Sequence, residues 1–237
     1  MCQIIIGVPL YLNSSGVIKT FSLISKYKII CFDDALTKNN KTNIPISDSR
    51  LQIFAGALTG NPIDNWNKTL AELRKQSDPT HFILLHHDEA LVTMLDDREI
   101  RSLAGNQIGL MQHRNQGSRV LPNWFKCLLI NNCPKVIRVL NYIGPVGLLV
   151  MPTHTTEYFN RQLKWHVDTE FYYQLAKKYK FVPLQSGLVA TLENPTSITH
   201  KLKNVNHVAK VERELLGAKI IGINLIACKI IYHIIRF

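Results

Sequence analysis

Three clusters of titratable side chains stand at or near the ends of short elements. Asp33-Asp34 follows the apolar run Lys28 to Phe32, and His86-His87-Asp88-Glu89 follows Phe82 to Leu85. Asp168 and Glu170 lie in Trp165-His166-Val167-Asp168-Thr169-Glu170, just ahead of Phe171 to Tyr179. Carboxylate oxygens suit hard divalent cations, an imidazole nitrogen suits softer ones, and a positioned carboxylate can take a proton in acid–base chemistry. Each cluster also has a plain reading. Polar residues after a strand make a solvated turn, and Asp168 or Thr169 can cap a helix whose positive first turn suits Glu170. The pair His86/His87 would fit zinc, but no third ligand stands at a fixed spacing.

The elements that must position these residues follow from the apolar pattern. The uninterrupted run Phe82 to Leu85 predicts a strand buried on both faces of a parallel sheet. Gln3 to Val8 (ended by Pro9) predicts a first buried strand, and Lys28 to Phe32 and Arg50 to Ala57 predict a second and a third strand. Helical spacing predicts helices over Ser15 to Tyr27, capped by Ser14 or Ser15, and over Ile63 to Gln76, with Trp66, Leu70 and Leu73 on one face. Ligands of such open α/β sheets bind beyond the carboxyl ends of the strands, which is where both Asp33-Asp34 and His86–Glu89 fall. An acid at the end of the second strand can bind a ribose hydroxyl or a base edge. Residues 35 to 50 are polar and predict a loop over the site mouth.

Later in the chain, Leu91 to Leu103 predicts a helix with Asp96 and Asp97 as surface charge in its middle. Gly109 to His113, Val136 to Leu140, Leu148 to Met151, Phe181 to Leu184 and Leu188 to Leu192 predict further strands, and Arg114 to Arg119 a polar turn. The glycines of Tyr142 to Gly147 predict close approach to a ligand or a neighbouring strand.

A chain of 237 residues with 46% apolar composition and no repeat or Pro/Gly/Ser-rich linker predicts one domain. The net charge of +11 favours an anionic partner, yet the basic residues are scattered and no nucleic-acid-binding signature appears, so no nucleic acid is expected. Five dispersed cysteines without a CxxC pair exclude a disulfide framework or zinc ribbon and fit a reducing compartment. No signal peptide is read at the N-terminus. The last apolar run, Ile220 to Ile235, carries Asn224, Lys229 and His233, and is too short and polar for a span of ~20 apolar residues. It predicts packing on the domain, with a membrane-surface helix as the alternative.

Four stretches, in order, resemble the family 2 glycosyltransferases of GT-A fold: Ile5-Ile6-Gly7-Val8-Pro9-Leu10-Tyr11; Ile29 to Asp34; Asp64-Asn65-Trp66-Asn67-Lys68-Thr69-Leu70 leading to Phe82–Glu89; and Val167-Asp168-Thr169-Glu170-Phe171-Tyr172-Tyr173. The third is similar to a run seen in many surface-polysaccharide transferases. The resemblance covers residues 3 to 199. It implies a single α/β domain of Rossmann-like GT-A type, with a central mostly parallel mixed sheet flanked by helices. The nucleotide-sugar half would span about 1–92, the acceptor half 93–199, and a basic, apolar helical extension 200–237.

The resemblance further implies an inverting, metal-dependent transferase that moves a sugar from a nucleotide-diphosphate donor to an acceptor hydroxyl in cell-surface polysaccharide or glycan synthesis. Its acceptor would be a glycan or lipid-linked glycan. The enzyme would be cytoplasmic, with peripheral membrane contact through the C-terminus. Pro9, Tyr11, Asp33, Asp34, Asn65, Asn67, Lys68 and His87 would bind the donor. Asp88, with His86 and Glu89, would hold Mn²⁺ or Mg²⁺, and Asp168 would be the catalytic base with Glu170 in reserve. Departures stand at Ala35-Leu36-Thr37-Lys38, in place of Gly-Ser-Thr-Asp, and at His86, in place of the first acid of Asp-x-Asp. Lys68 and Gln174 each replace an Arg. They open the alternative of a catalytically weakened nucleotide-sugar-binding relative. A basic nucleic-acid-binding protein and a phosphohydrolase built on His86, His87 and Asp88 are more distant readings.

Overall fold

Residues Ile4–Leu10 form β1, buried at every position, and the strands on either side of it, Lys28–Asp33 and His81–Leu84, are nearly as buried: apolar side chains with no solvent face to give up. Leu51–Ala55 at the sheet's edge is only half-buried. The computed structural model describes residues 4–11, 14–24, 26–35, 44, 47–114, 121–192 and 204–217. In order these form β1, α1 (Ser15–Leu23), β2 (Lys28–Asp33), β3 (Leu51–Ala55), α2 (Pro62–Arg74), β4 (His81–Leu84), β5 (Glu89–Thr93), α3 (Asp97–Ser102), β6 (Gln107–Arg114), α4 (Asn123–Asn132), β7 (Leu149–Pro152), α5 (Val167–Ala176), β8 (Lys180–Thr191) and α6 (Val205–Leu215). The strands build one sheet in the order β3-β2-β1-β4-β7-β6-β8-β5. The first four are parallel, β7 is antiparallel to both β4 and β6, β6 and β8 are parallel, and β5 closes the far edge antiparallel to β8. This is the mixed α/β sheet of the GT-A type expected from the sequence.

The position of β5 shapes the molecule. It follows β4 after four residues, yet β7, β6 and β8 lie between them in the sheet. A flat sheet would hold β4 and β5 about 19 Å apart. The connection is instead a tight turn, with the Glu89 amide donating to the His86 carbonyl at 3.0 Å. The sheet therefore curls until its far edge meets its middle, and the turn His86–Glu89 bridges the seam.

Several sequence expectations are corrected. Leu91 to Leu103 is not one helix. Ala90 and Leu91 pair with Ala190 and Val189, so a buried strand and a short helix share an apolar stretch too brief to show either period clearly. Asp96 then caps α3, accepting the Arg98 amide at 2.7 Å, instead of lying mid-helix. Val136 to Leu140 is no strand: Pro134–Val136 is a 3₁₀ turn and the chain continues in turns. Phe181–Leu184 and Leu188–Leu192 are one strand, β8, whose register against β6 jumps from Leu110↔Pro183 to Gln112↔Leu188. Pro9 does not end β1. Pairing to β4 stops at Gly7, so the missing proline N–H leaves no ladder partner unmet there. Tyr179 falls beyond α5, which ends at Ala176. The run Ile220 to Ile235, most of the 35–50 loop and most of the 114–119 turn lie outside the described residues.

Among the described residues, no helix is long and apolar enough to cross a membrane. Cys31, Cys127 and Cys133 are free thiols, and Cys31 is a fully buried small hydrophobe as expected.

Candidate functional site

The turn after β4 is fixed from four sides. The Leu85 amide donates to the Gly7 carbonyl at 3.0 Å, and the Leu192 amide to the Asp88 carbonyl at 2.7 Å. The Gly16 amide, at the start of α1, donates to the His87 carbonyl at 3.1 Å. A Cβ at position 16 would stand 2.2 Å from the Glu89 carbonyl oxygen, so only glycine lets α1 approach this closely. Finally, Glu89 Oε2 accepts the His86 amide at 3.1 Å. Sequence proximity alone would leave His86–Glu89 a surface turn; these bonds make it a rigid one.

Glu89 is 2% exposed, and burial pushes its carboxyl up to about 8, helped by the Asp88 charge and opposed by the His86 amide. Its Oε2 occupies the space that a side chain on Gly147 would take, at 2.2 Å from an ideal Cβ. The glycine cluster at 142–147 thus meets a carboxylate, a partner the sequence did not name. One ligand atom each from His86, Asp88 and Glu89 lies within 4.8 Å of the others. His86 Nε2 is buried without a hydrogen-bond partner. The ring's other nitrogen, Nδ1, stands 3.5 Å from Glu89 Oε1, and one imidazole nitrogen with two carboxylates fits a divalent cation of mixed N/O preference, Mn²⁺ before Mg²⁺.

His86 is held by α2. The indole of Trp66 stacks on its ring with centroids 4.4 Å apart at 19°, and meets Phe159 edge-on at 5.3 Å. Asn67 locks that phenylalanine: its side chain accepts the Phe159 amide at 2.8 Å and donates to the Phe159 carbonyl at 3.0 Å.

Opposite the turn stands the start of α5. His166 is the N-cap residue and makes no side-chain cap bond, which corrects the expectation that Asp168 or Thr169 caps this helix. Thr169 Oγ1 instead donates back to the His166 carbonyl at 3.0 Å. Asp168 lies in the first turn and faces the cleft. Burial raises its carboxyl to about 6; the His86 imidazole pulls it down, while Glu89 and Asp88 push it up. The helix end would ordinarily hold an acid low, so desolvation wins here.

Together Trp66, His86, His87, Asp88, Val139, Leu140, Asn141 and the segment Lys164–Thr169 line a cleft of about 510 Å³. The structure thus brings His86, His87, Asp88 and Asp168 to one space, with Glu89 immediately behind. Trp66, Asn141, Lys164, Trp165 and His166 join them, none of them assigned a site role from the sequence. Trp66 carried a helix-face signal and a place in the third resembling stretch, Trp165 and His166 a place beside Asp168, and Asn141 no signal.

The other predicted residues do not line this cleft. Glu170 is buried and ion-paired, its Oε2 2.7 Å from Arg138 Nε. Asp33 is fully buried and accepts the Ala35 amide at 3.0 Å; Asp34 accepts the Leu58 amide at 2.6 Å. Asn65 ties the ends of β1 and β2 by donating to the Leu10 and Phe32 carbonyls, and Lys68 donates to those of Ala55 and Gly56. Pro9 is buried in β1, while Tyr11 just beyond it is 53% exposed. These residues set the mouth of the parallel half-sheet.

The sequence matches no protein-family model and no curated protein. Solved structures with the same fold do exist. The chain superposes on residues 1–349 of S. aureus TarS in complex with UDP-GlcNAc with a TM-score of 0.56 at 13% identity, over 92% of this chain and 66% of that one. The UDP complex of the same TarS fragment gives 0.52 at 13% identity over 90% and 65%, and S. aureus TarS itself 0.52 at 12% over 92% and 43%. The chain spans less than two thirds of the length of these proteins. At such identities the likeness defines the architecture, an α/β sheet flanked by helices.

Proposed function

We propose that the chain is a glycosyltransferase that moves a sugar from a nucleotide-diphosphate donor to an acceptor hydroxyl with inversion. The observation that carries this reading is the pairing, across one cleft, of the His86/Asp88/Glu89 turn with the Asp168 carboxylate on α5. The fold it shares with TarS, in complex there with UDP-GlcNAc and UDP, supports the same class of donor.

The two walls divide the work. Asp88 and His86 would hold a divalent cation, with Glu89 behind them; bound there, the cation would neutralise the charge that develops on the departing diphosphate. Asp168 takes the proton of the acceptor hydroxyl as its oxygen forms the new bond to the anomeric carbon. The bond to the nucleotide diphosphate breaks on the opposite face, and its electron pair leaves with the phosphate. A carboxyl titrating near 6 is mostly ionised at neutral pH yet more basic than a free aspartate, which suits this task. Trp66 and Trp165 supply flat apolar surface of the kind sugar rings pack on. Tyr11, Asp33 and Asp34 stand at the carboxyl ends of β1 and β2, where a nucleoside would lie. A surface-polysaccharide or lipid-linked glycan acceptor, and a cytoplasmic setting with peripheral membrane contact, complete the proposal.

The second reading, a weakened nucleotide-sugar binder, is favoured by one observation: where the resemblance expects the first acid of the metal-binding pair stands the imidazole of His86, stacked on Trp66. A panel of nucleotide sugars tested by thermal shift with and without Mn²⁺, followed by donor hydrolysis and transfer assays, decides between them. A metal-dependent shift with turnover supports the enzyme, a shift without turnover the binder, and no shift with any donor rejects both. Loss of the shift in Asp88→Asn would assign the metal.

A further inference from the structure

We propose that Glu212, on α6, is a positioning residue of the site: its carboxylate holds the backbone of Lys164–His166 and so fixes the segment that carries Asp168 and one wall of the cleft. The proposal rests on the glycosyltransferase reading for its catalytic consequence and on the hydrogen-bond geometry for its physical basis.

Glu212 Oε1 accepts the Lys164 amide, Oε2 accepts the Trp165 amide at 3.0 Å and the His166 amide at 2.8 Å, and Oε1 adds a longer contact to Trp165 at 3.3 Å. The side chain belongs to a residue only 5% exposed. Three successive amides converging on one oxyanion make a nest, and charge-assisted bonds of this kind are about twice as strong as neutral ones. The acceptor comes from 46 residues downstream of His166.

Glu212 takes the amides of the two residues before the N-cap and of the N-cap residue His166 itself, so the chain is held where it enters α5. Asp168, in the first turn just beyond that anchor, faces the cleft. The six residues Lys164–Thr169 all line that cleft and hang from this anchor. A helix lying beyond residue 199 is thereby part of the site and not an appendage to it.

The test compares the full chain with Glu212→Gln, which keeps the shape but replaces one acceptor oxygen by a donor facing the amides. Hydrogen exchange should quicken by about tenfold or more at residues 164–168 with the β1 and β4 amides unchanged, and the ¹³C shift of the Asp168 carboxyl should move. Transfer should lose kcat by about tenfold or more, since small misplacements of a reacting group are costly. The Kd for UDP with Mn²⁺ should stay within about twofold, because the turn on the other wall is untouched. A role in stability alone would lower Tm while leaving kcat per folded molecule at the wild-type value, and that result overturns the proposal. Unchanged exchange at 164–168 or an unmoved Asp168 resonance overturns it as well. If the wild-type chain transfers no sugar, the glycosyltransferase reading falls by itself. The exchange and carboxyl measurements then still decide whether Glu212 positions Asp168.

Discussion

The imidazole of His86 lies flat against the indole of Trp66, 4.4 Å between centroids, with its Nε2 buried and unpartnered. The stack gives a defined setting to a position where the resemblance expects an acid: a ring held face-on by a neighbour from α2. Trp66→Ala should release that ring. We expect a loss of about 2 kcal/mol in urea unfolding, less than for a fully buried tryptophan. Mn²⁺ affinity measured by calorimetry should fall by about tenfold, and Trp66→Phe should restore most of both.

Asp168 and Glu170 sit two positions apart and do different things. Asp168→Asn should leave UDP binding within about twofold and remove transfer. Glu170→Gln should break the buried pair with Arg138, destabilising the fold by about 3 kcal/mol, while turnover per folded molecule stays within about threefold. Stopped transfer assays combined with chemical denaturation separate the two. Full turnover in Asp168→Asn would move the base elsewhere.

The raised carboxyls give stability a pH dependence of defined sign. A group held above its unfolded value binds more protons in the folded state, so it favours folding at low pH and its ionisation costs stability as pH rises. For Asp168 the window runs from about pH 4 to 6, and for Glu89 from about pH 4.5 to 8. Asp168→Asn should therefore be the more stable protein at pH 7.5, by on the order of 2 kcal/mol, and the gain should vanish below pH 4. Activity should show an acid limb near pH 6, below which the base is protonated. Denaturation series across pH 4–8 check the first statement, and kcat/KM profiles the second.

Gly147 leaves room for the Glu89 carboxylate. Gly147→Ala places a methyl 2.2 Å from Oε2, and the overpacking should cost about 1–3 kcal/mol. The displaced carboxylate should also weaken Mn²⁺ binding several-fold. A crystal structure of the variant with Glu89 unmoved would contradict this.

The first half of the fold was legible because β1, β2 and β4 are buried on both faces and announce themselves as apolar runs, with the half-buried edge strand β3 beside them. The strand β4 and its acidic end were read directly from Phe82–Leu85 and His86–Glu89. The second half was not. Glu89–Thr93 and Val136–Leu140 are short apolar segments whose conformation is set by partners far along the chain: β8 in the first case, and no strand at all in the second. The cleft-lining set His86, His87, Asp88 and Asp168 was visible as residue types at the ends of elements. The jobs of Asn65, Asn67 and Lys68 were not, because a side chain that bonds backbone carbonyls and amides looks, in sequence, like one that bonds a ligand. Glu212 gave no signal, since nothing local marks a residue that acts 46 positions away.

The curled sheet joins its edge to its middle at the His86–Glu89 turn, and β8 is the strand that brings the edge round. A nascent chain that has emerged only as far as β7 already possesses His86, Asp88 and Glu89, and α1 already holds β5 beside them, the Leu91 amide donating to Thr20 Oγ1 at 3.0 Å. What such a chain lacks is the facing wall, Lys164–Thr169, and the strand β8 that pairs with β5. With Glu212 as the anchor of that wall, the cleft is whole only once synthesis has passed α6, and a chain interrupted before α5 carries one wall without the other.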